Sequence, residues 1–447
     1  MSNKNINGAK PPTAVVETMD KGHPPVGVEG NTRKMNILQR IKFGLLAIGP
    51  GLFLIGYNIG TGSIVTMSKA GATYGMALLW LLLLSCVFSY VLMVAYGQVT
   101  IVSKRTALNN IKTEFPKFNA GKIVGIYIMV SLIIGELLAL IGISGVVVEL
   151  IQEGFRLVGA GLEVNRTIVG VVLMSAMAAL FWLGNYKIFE KVLIVFVAVM
   201  VITFMIVLVM IKPDAKAMLA GLVPTIPGQE GTLMVMAAMA GTTISAAVFI
   251  VRSTVVAEKG WNISHLTREK VDAGVSSFTM FLLSAVIMAV AAGTLFLIGR
   301  KVDTTLDLIH LFEPIGGKAA TFLLILGVCS AGISTMFPII LIAPWLICDY
   351  TGRPRDTKSP LFRIAGLVGF MVALAFLFIE QAPPIIILFS QAFQAMLLPA
   401  VVIPIMILIN RKSFMKEHVA GRWTNVGLAL TLIFSLVTAV FAVWDLL

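Results

Sequence analysis

The sequence predicts an all-α membrane protein with about eleven transmembrane helices. Three observations support this prediction: 58% of the residues are hydrophobic, only 13% are charged, and the apolar residues fall in long runs. Ordinary soluble domains are about 45–50% apolar and about 25% charged. A water-soluble fold could not bury this much apolar surface, so we expect lipid to surround it.

The apolar runs have the length that a bilayer requires. A hydrocarbon core of about 30 Å takes about 20 residues of α-helix, whereas membrane strands give weak alternating segments of about ten residues. Breaks that contain Gly, Pro, Asn and charged residues separate the runs. The predicted spans cover 44–68, 76–103, 121–151, 167–185, 191–211, 232–257, 271–299, 319–348, 361–380, 384–410 and 425–445.

The first 40 residues differ from the rest of the chain. They are polar, contain stretches rich in Gly, Pro and Lys, and lack the apolar core of a signal peptide. We therefore expect a disordered cytosolic tail over 1–40 and a transmembrane transporter domain over 41–447.

Basic residues indicate the orientation of the chain. With the N-terminus inside, 25 Lys and Arg lie on the inner side and eight on the outer side, and Arg252 lies within a span. Loops on the cytoplasmic side carry an excess of Lys and Arg. This predicts a protein of the cell (cytoplasmic or inner) membrane with a cytosolic N-terminus and an outer C-terminus. The same excess of basic residues accounts for the net charge of +12, because these residues face the anionic lipids of the inner leaflet. The charge therefore does not indicate nucleic acid as a partner.

Catalytic and metal-binding patterns are not apparent in the sequence. Cys86, Cys329 and Cys348 fall in or beside apolar runs without ligand spacing, and the four His residues are scattered through the tail and loops. We therefore predict a protein that is not an enzyme and uses no cofactor or resident metal. Its expected partners are a small-molecule substrate and the lipid bilayer, with no obligate protein partner.

Two predicted spans contain stretches that are poor for a continuous helix facing lipid. The first holds Gly56-Tyr57-Asn58-Ile59-Gly60-Thr61-Gly62-Ser63, and the sixth holds Ala240-Gly241-Thr242-Thr243-Ile244-Ser245-Ala246-Ala247. Backbone freed at membrane depth is tolerated where protein buries it or a cavity adjoins it. Broken helices five spans apart predict inverted repeats over 44–211 and 232–410 around a central site, plus an eleventh helix at 425–445. The alternative is that the small residues only let helices pack closely.

Several motifs resemble those of the Nramp metal transporters, a family with the leucine-transporter (LeuT) fold. The resemblance extends from about residue 45 to 412 and implies a five-plus-five inverted repeat with discontinuous first and sixth helices. The matching stretches are Ile48-Gly49-Pro50-Gly51, Ala70-Gly71-Ala72-Thr73-Tyr74-Gly75 with Leu79-Trp80, Leu311-Phe312-Glu313-Pro314 with Gly316-Gly317, and Ser390-Gln391 with Leu398-Pro399 and Ile403-Pro404.

The resemblance ends at the family's metal-binding residues. The family's Asp-Pro-Gly-Asn motif in the first helix aligns with Gly60-Thr61-Gly62-Ser63 of this chain. The family's Met-Pro-His motif in the sixth helix aligns with Ser245-Ala246-Ala247. Gln391 is then the one clear match to the family's metal-binding residues. The predicted site is therefore uncharged. The predicted substrate-binding residues are Asn58, Gly60, Thr61, Ser63, Thr242, Thr243, Ser245, Ala247, Gln391 and Gln394.

The altered residues change the expected substrate. Neutral hydroxyls and amides compensate poorly for a divalent ion in the membrane, whereas they can hydrogen-bond an uncharged solute. We therefore expect a secondary transporter that moves a neutral polar organic solute, such as a monosaccharide, by alternating access, with uniport as an alternative to proton coupling. One rival is a transporter of a divalent cation such as Mg²⁺ or Mn²⁺, carried partly hydrated. Another is a receptor that keeps the fold without transport.

Two ionisable residues lie within predicted spans and are candidates for coupling or gating. Glu136 lies in the third span and Arg252 in the sixth. The resemblance implies that Glu136 occupies an acidic position of the family and that Arg252 replaces a histidine linked to proton movement. Arginine stays charged near neutral pH and cannot shuttle protons. We therefore predict a buried Glu136–Arg252 ion pair with a structural or gating role, and keep a proton path as the alternative.

Overall fold

The computed structural model describes most of the transmembrane domain. Every regular element in the described residues is a helix. The predicted tail, Asn58 and about half of the predicted span at 191–211 lie outside them. The described residues are 60–116, 119–158, 163–182, 195, 198–199, 201–206, 209–210, 215–311, 313–353, 355–356 and 358–444.

The helices of the described residues are α-helices and short 3₁₀ turns. Turns of 3₁₀-helix lie at Ile263–His265, Phe296–Ile298, Leu374–Phe378 and Lys416–His418. The α-helices are α1 (Thr61–Tyr74), α2 (Leu79–Ser103), α3 (Ala107–Glu114), α4 (Ala120–Val158), α5 (Arg166–Trp182), α6 (Ala215–Ala220), α7 (Thr232–Thr243), α8 (Ala246–Glu258), α9 (Leu266–Gly293), α10 (Thr305–Ile309), α11 (Glu313–Thr351), α12 (Pro360–Ala373), α13 (Pro383–Asn410), α14 (Lys412–Met415) and α15 (Arg422–Trp444).

Eight helical segments of the described chain are long and apolar enough to cross a membrane. Helices α7 and α8 together form one of them, Thr232–Glu258, and the apolar helix α5 is slightly shorter. Helix α1 begins within the last third of the first predicted span and continues beyond its predicted end at 68, to Tyr74. This arrangement confirms the prediction of an all-α membrane protein.

The predicted break in the sixth span is present. Helix α7 ends at Thr243, where the N–H of Ile244 still donates to the Ala240 carbonyl at 2.7 Å. Ser245 is extended, with φ −65° and ψ 123°, and α8 begins at Ala246. All these residues are buried, so protein rather than lipid surrounds the interrupted backbone, as the sequence argument requires.

Helix α7, which ends at the break, packs against α13, α15, α1 and α2, and α13 in turn packs against α4. Gly241 allows α7 and α13 to approach each other closely, because a Cβ there would overlap the Gln391 carbonyl oxygen and lie 2.8 Å from the Gln391 carbonyl carbon. Small residues in the sixth span therefore serve close packing as well as the break. This contact holds α7 against the part of α13 that carries Gln391.

Candidate substrate site

A small cavity lies beside the break, between α1, α4, α7, α11 and α13. It has a volume of about 30 Å³, which is room for a water-sized occupant. Its residues are mostly small or polar, as the sequence predicts for a site at the middle of the membrane. The lining residues are Gly60, Gly62, Ser63, Glu136, Ala139, Ile143, Thr242, Ser245, Thr335, Ile339, Gln391 and Gln394.

The structure brings together six of the ten predicted binding residues. Three other predicted residues, Thr61, Thr243 and Ala247, are buried but do not line the cavity. Asn58 lies outside the described residues. The six that line the cavity are Gly60, Ser63, Thr242, Ser245, Gln391 and Gln394.

Hydrogen bonds hold several of these side chains in place. The Ser245 hydroxyl donates to Gln394 Oε1 at 2.6 Å, which fixes the extended residue of the break against α13. The hydroxyls of Ser63 and Ser284 lie 3.3 Å apart and tie α1 to α9. Gly62 lets the Gln391 amide approach α1, because a Cβ there would lie 2.9 Å from Gln391 Nε2.

Sequence reasoning missed the contribution of α11. Thr335 and Ile339 both line the cavity, and the Thr335 hydroxyl donates to the Ala331 carbonyl at 2.7 Å. The signal in the sequence is a small polar group, Ser334-Thr335, inside an otherwise apolar span. Such a group is ambiguous because serine and threonine often bond back to their own helix.

Glu136 brings a carboxylate to the cavity. It is 3% exposed and is the one acidic residue among those lining the cavity in the described chain. Nowhere in the described ranges do three or more His, Cys, Asp or Glu residues form a group that could hold a metal ion. The cavity thus combines a single carboxylate with neutral oxygen and nitrogen groups.

The predicted Glu136–Arg252 ion pair is wrong, because Arg252 has other partners. Its Nε donates to Glu269 Oε1 at 2.9 Å and its Nη2 donates to Asp272 Oδ2 at 2.9 Å. Both acids lie on one face of α9, three residues apart. The predicted span began at 271, whereas α9 begins at Leu266, so Glu269 is a buried intrahelical residue and not an interfacial one. Gly97 of α2 makes room, because a Cβ there would overlap Glu269.

A helical bundle whose broken span adjoins a buried polar cavity defines a class of protein, the multi-pass secondary transporter. The chain belongs to the Nramp family, since the model of the natural resistance-associated macrophage protein-like family matches residues 51–445. The resemblance seen in the motifs is thereby confirmed. Members of this family are transporters rather than enzymes.

Curated relatives extend over most of the chain. The divalent metal cation transporter MntH of Pectobacterium carotovorum subsp. carotovorum is 23% identical over 398 residues, covering 87% of this chain and 90% of that protein. The protein of the same name from Erwinia tasmaniensis is 28% identical over 313 residues, covering 68% and 71%.

Solved structures show the same fold. A point mutant of the manganese transporter of Eremococcus coleocola matches with a TM-score of 0.69 and 16% identity, over 90% of this chain and 87% of that one. The nucleobase-cation-symport-1 family transporter Mhp1 matches with a TM-score of 0.57 and 15% identity, over 88% and 90%. The predicted LeuT-type fold is thus confirmed.

Proposed function

We propose that this protein is a secondary transporter of a small, hard divalent cation, similar to Mg²⁺ or Mn²⁺. The observation that carries the proposal is the cavity of about 30 Å³ that places Glu136 among hydroxyl and amide groups. Hard cations prefer carboxylate, carbonyl and water oxygens. The relatives named as divalent metal cation transporters support the same substrate class.

The partners of Arg252 remove the main objection to a cation. An arginine beside Glu136 would cancel the charge that a cation needs, but Arg252 binds Glu269 and Asp272 instead. Glu136 is the one acidic residue in the described lining. A carboxylate there would offset the charge of an ion that neutral groups alone would compensate poorly.

The chemistry of the lining favours a hard cation over a soft one. Among the residues that line the cavity in the described chain, none is Met, Cys or His. Thioether, thiolate and imidazole ligands select softer transition metals, whereas oxygen ligands suit Mg²⁺ and Mn²⁺. Mg²⁺ also keeps several waters when bound, so a hydrated ion would require the cavity to widen during the cycle.

A neutral polar solute is the second candidate function. The break itself offers uncharged groups, such as Thr242, Ser245 and Gln391, which can hydrogen-bond a hydroxylated molecule. The relatives named as divalent metal cation transporters do not support a sugar-like substrate. A cavity of about 30 Å³ is also far smaller than a monosaccharide. This candidate therefore depends on a much larger cavity in another state of the transport cycle.

Uptake into proteoliposomes tests the proposal. We expect saturable Mg²⁺ or Mn²⁺ uptake, reported by an enclosed ion-sensitive dye, and at least a tenfold loss with Glu136→Gln. Glu417→Gln is the matched control, because Glu417 is exposed in the 3₁₀ turn Lys416–His418 and does not line the cavity. Saturable uptake of a radiolabelled monosaccharide without uptake of either ion would overturn the proposal in favour of the second candidate.

The orientation of the chain in the membrane and the limits of the two repeats remain predictions. We propose a cytosolic N-terminus and an outer C-terminus, on the basis of the Lys and Arg distribution. Labelling of single cysteines by an impermeant reagent, placed at Glu163 and at Glu417, tests this. We expect intact cells to be labelled at 163 and not at 417.

A further inference from the structure

We propose that Thr335 contacts the transported ion and that the close fit of Gly60 to Thr335 determines the selectivity of the site. This rests on the proposed cation transport and adds a specific ligand from α11. The fit between the two residues does not follow from the sequence neighbourhood of either one, because they lie 275 positions apart.

The two residues compete for the same space. A Cβ at position 60 would overlap Thr335 Oγ1 and lie 2.6 Å from Thr335 Cγ2. Gly60 has φ −95° and ψ −170°, a conformation that any residue adopts. Space, and not backbone conformation, therefore explains why position 60 carries glycine.

The Thr335 hydroxyl can act as an acceptor for a ligand of the cavity. It uses its hydrogen to donate to the Ala331 carbonyl at 2.7 Å, so an oxygen lone pair remains for another ligand. Thr335 is 4% exposed and lines the cavity together with Glu136 and Gln391. A neutral oxygen thus occupies the place where a side chain from α1 would otherwise enter the site.

This arrangement has a consequence for the ions that bind. Position 60 immediately precedes α1, and its carbonyl accepts from the N–H of Ile64 at 3.1 Å, so its place at the cavity is fixed. With Thr335 present, no side chain at position 60 can contribute a second charge. Glu136 and neutral oxygens are then the groups left in the lining, and this favours a weakly held, oxygen-coordinated cation.

Three variants of Thr335 test the role of its hydroxyl. Binding of Mg²⁺, and separately of Mn²⁺, is measured on the full-length purified protein by the ion-dependent rise in unfolding temperature. We expect Thr335→Val and Thr335→Ala to weaken binding at least fivefold. Thr335→Ser, the matched control, keeps the hydroxyl and should bind within twofold of the wild type. Equal binding by Thr335→Val and the wild type would overturn the assignment of Thr335 as a ligand.

A double-mutant cycle tests the steric half of the proposal without any substrate. We expect Gly60→Ala to lower the unfolding temperature of the ion-free protein and the addition of Thr335→Ala to restore part of the loss. The double variant removes Thr335 Oγ1 and Cγ2 and leaves only the Thr335 Cβ, 2.7 Å from the added Cβ. Strictly additive losses would overturn the steric fit. Failure of the wild type to bind either ion would instead overturn the proposed function, and the cycle would still decide whether the two residues compete.

Discussion

Arg252 binds Glu269 across α8 and α9, with Nε 2.9 Å from Glu269 Oε1 and both side chains almost completely buried. Asp272 accepts from the same guanidinium at 2.9 Å. The cluster lies beside Gly97 of α2, which admits the Glu269 side chain. It fastens the second half of the broken span to the following helix, and Glu136 is not part of it.

Loss of Arg252 should be much more damaging than loss of Glu269. Arg252→Met leaves two buried carboxylates without their shared partner, and removal of one member of a buried pair costs about 3–5 kcal/mol. Glu269→Gln keeps the contact between Arg252 and Asp272 and is the matched comparison. Unfolding midpoints in detergent should fall further for Arg252→Met. Equal midpoints for the two variants would contradict this account of the cluster.

A second contact fastens α8, the second half of the broken span, to α11. The Thr254 hydroxyl donates to Asp349 Oδ2 at 2.6 Å. Asp349 also forms an ion pair with Arg355, and Arg355 forms a second ion pair with Glu258 at 2.7 Å. Thr254→Val leaves a buried carboxylate oxygen without its donor, so we expect a loss of about 1–3 kcal/mol.

Thr351 provides the control for Thr254. Its hydroxyl donates to the Ile347 carbonyl of its own helix at 2.7 Å, and the residue is exposed. Thr351→Val should therefore change the free energy of unfolding by less than about 0.5 kcal/mol, as exposed substitutions usually do. Denaturant unfolding followed by tryptophan fluorescence measures both variants. A loss for Thr351→Val as large as that for Thr254→Val would refute the importance of the interhelical bond.

The sequence was sufficient for the fold because long apolar runs and the membrane leave few structures available. The break at Ser245 was predictable because glycine and hydroxyl residues interrupt an apolar run, and its position agrees with α7 and α8. The partner of Arg252 was not predictable in this way. A buried ion pair depends on which helix faces take part and on where α9 begins, and hydropathy locates such ends only loosely.

The site was predictable where it lies on the broken helices and unpredictable where it lies on continuous ones. Gly60, Ser63, Thr242 and Ser245 follow from the interrupted backbone. Thr335 lies on an unbroken helix and enters the site through packing against Gly60, which is a contact between distant parts of the chain. Tertiary packing of this kind leaves no local pattern in a single sequence.

The crossing of α7 and α13 should tolerate no side chain at Gly241. A Cβ there would overlap the Gln391 carbonyl oxygen and lie 3.0 Å from the Ala395 nitrogen, and both are backbone atoms that cannot rotate away. We expect Gly241→Ala to destabilise the protein by about 1–3 kcal/mol through overpacking. It should also weaken ion binding, because it displaces the backbone that carries Gln391.

Gly421→Ala is the control for that substitution. A Cβ at Gly421 would have no heavy atom within 4 Å, so we expect its unfolding midpoint and ion binding to match the wild type. Thermal unfolding with and without Mg²⁺ measures both quantities for each variant. If Gly241→Ala were as stable as Gly421→Ala, the close crossing of the two helices would be incorrect.

Asp307 lies in the first turn of α10, outside the membrane spans, and should make the free energy of unfolding depend on pH. Partial burial acts to raise the pKa of Asp307, but N–H donors from Thr304 and Asp303, the Thr304 hydroxyl and the nearby Arg300 outweigh it, so the pKa lies below its ordinary value. Stabilisation by this carboxylate is therefore present above the ordinary pKa and disappears as the pH falls through the lowered one.

Asp307→Asn tests this expectation. The variant retains an acceptor oxygen but loses the charge that strengthens the capping bonds at Thr304 and the contact with Arg300 at 3.5 Å. We expect a loss of about 0.5–1 kcal/mol at pH 7, in the lower range for helix caps. The difference from the wild type should shrink below about pH 4, where aspartate begins to protonate. Unfolding midpoints measured between pH 7 and pH 3 give this difference directly, and one that stayed constant with pH would show that the charge of Asp307 contributes nothing.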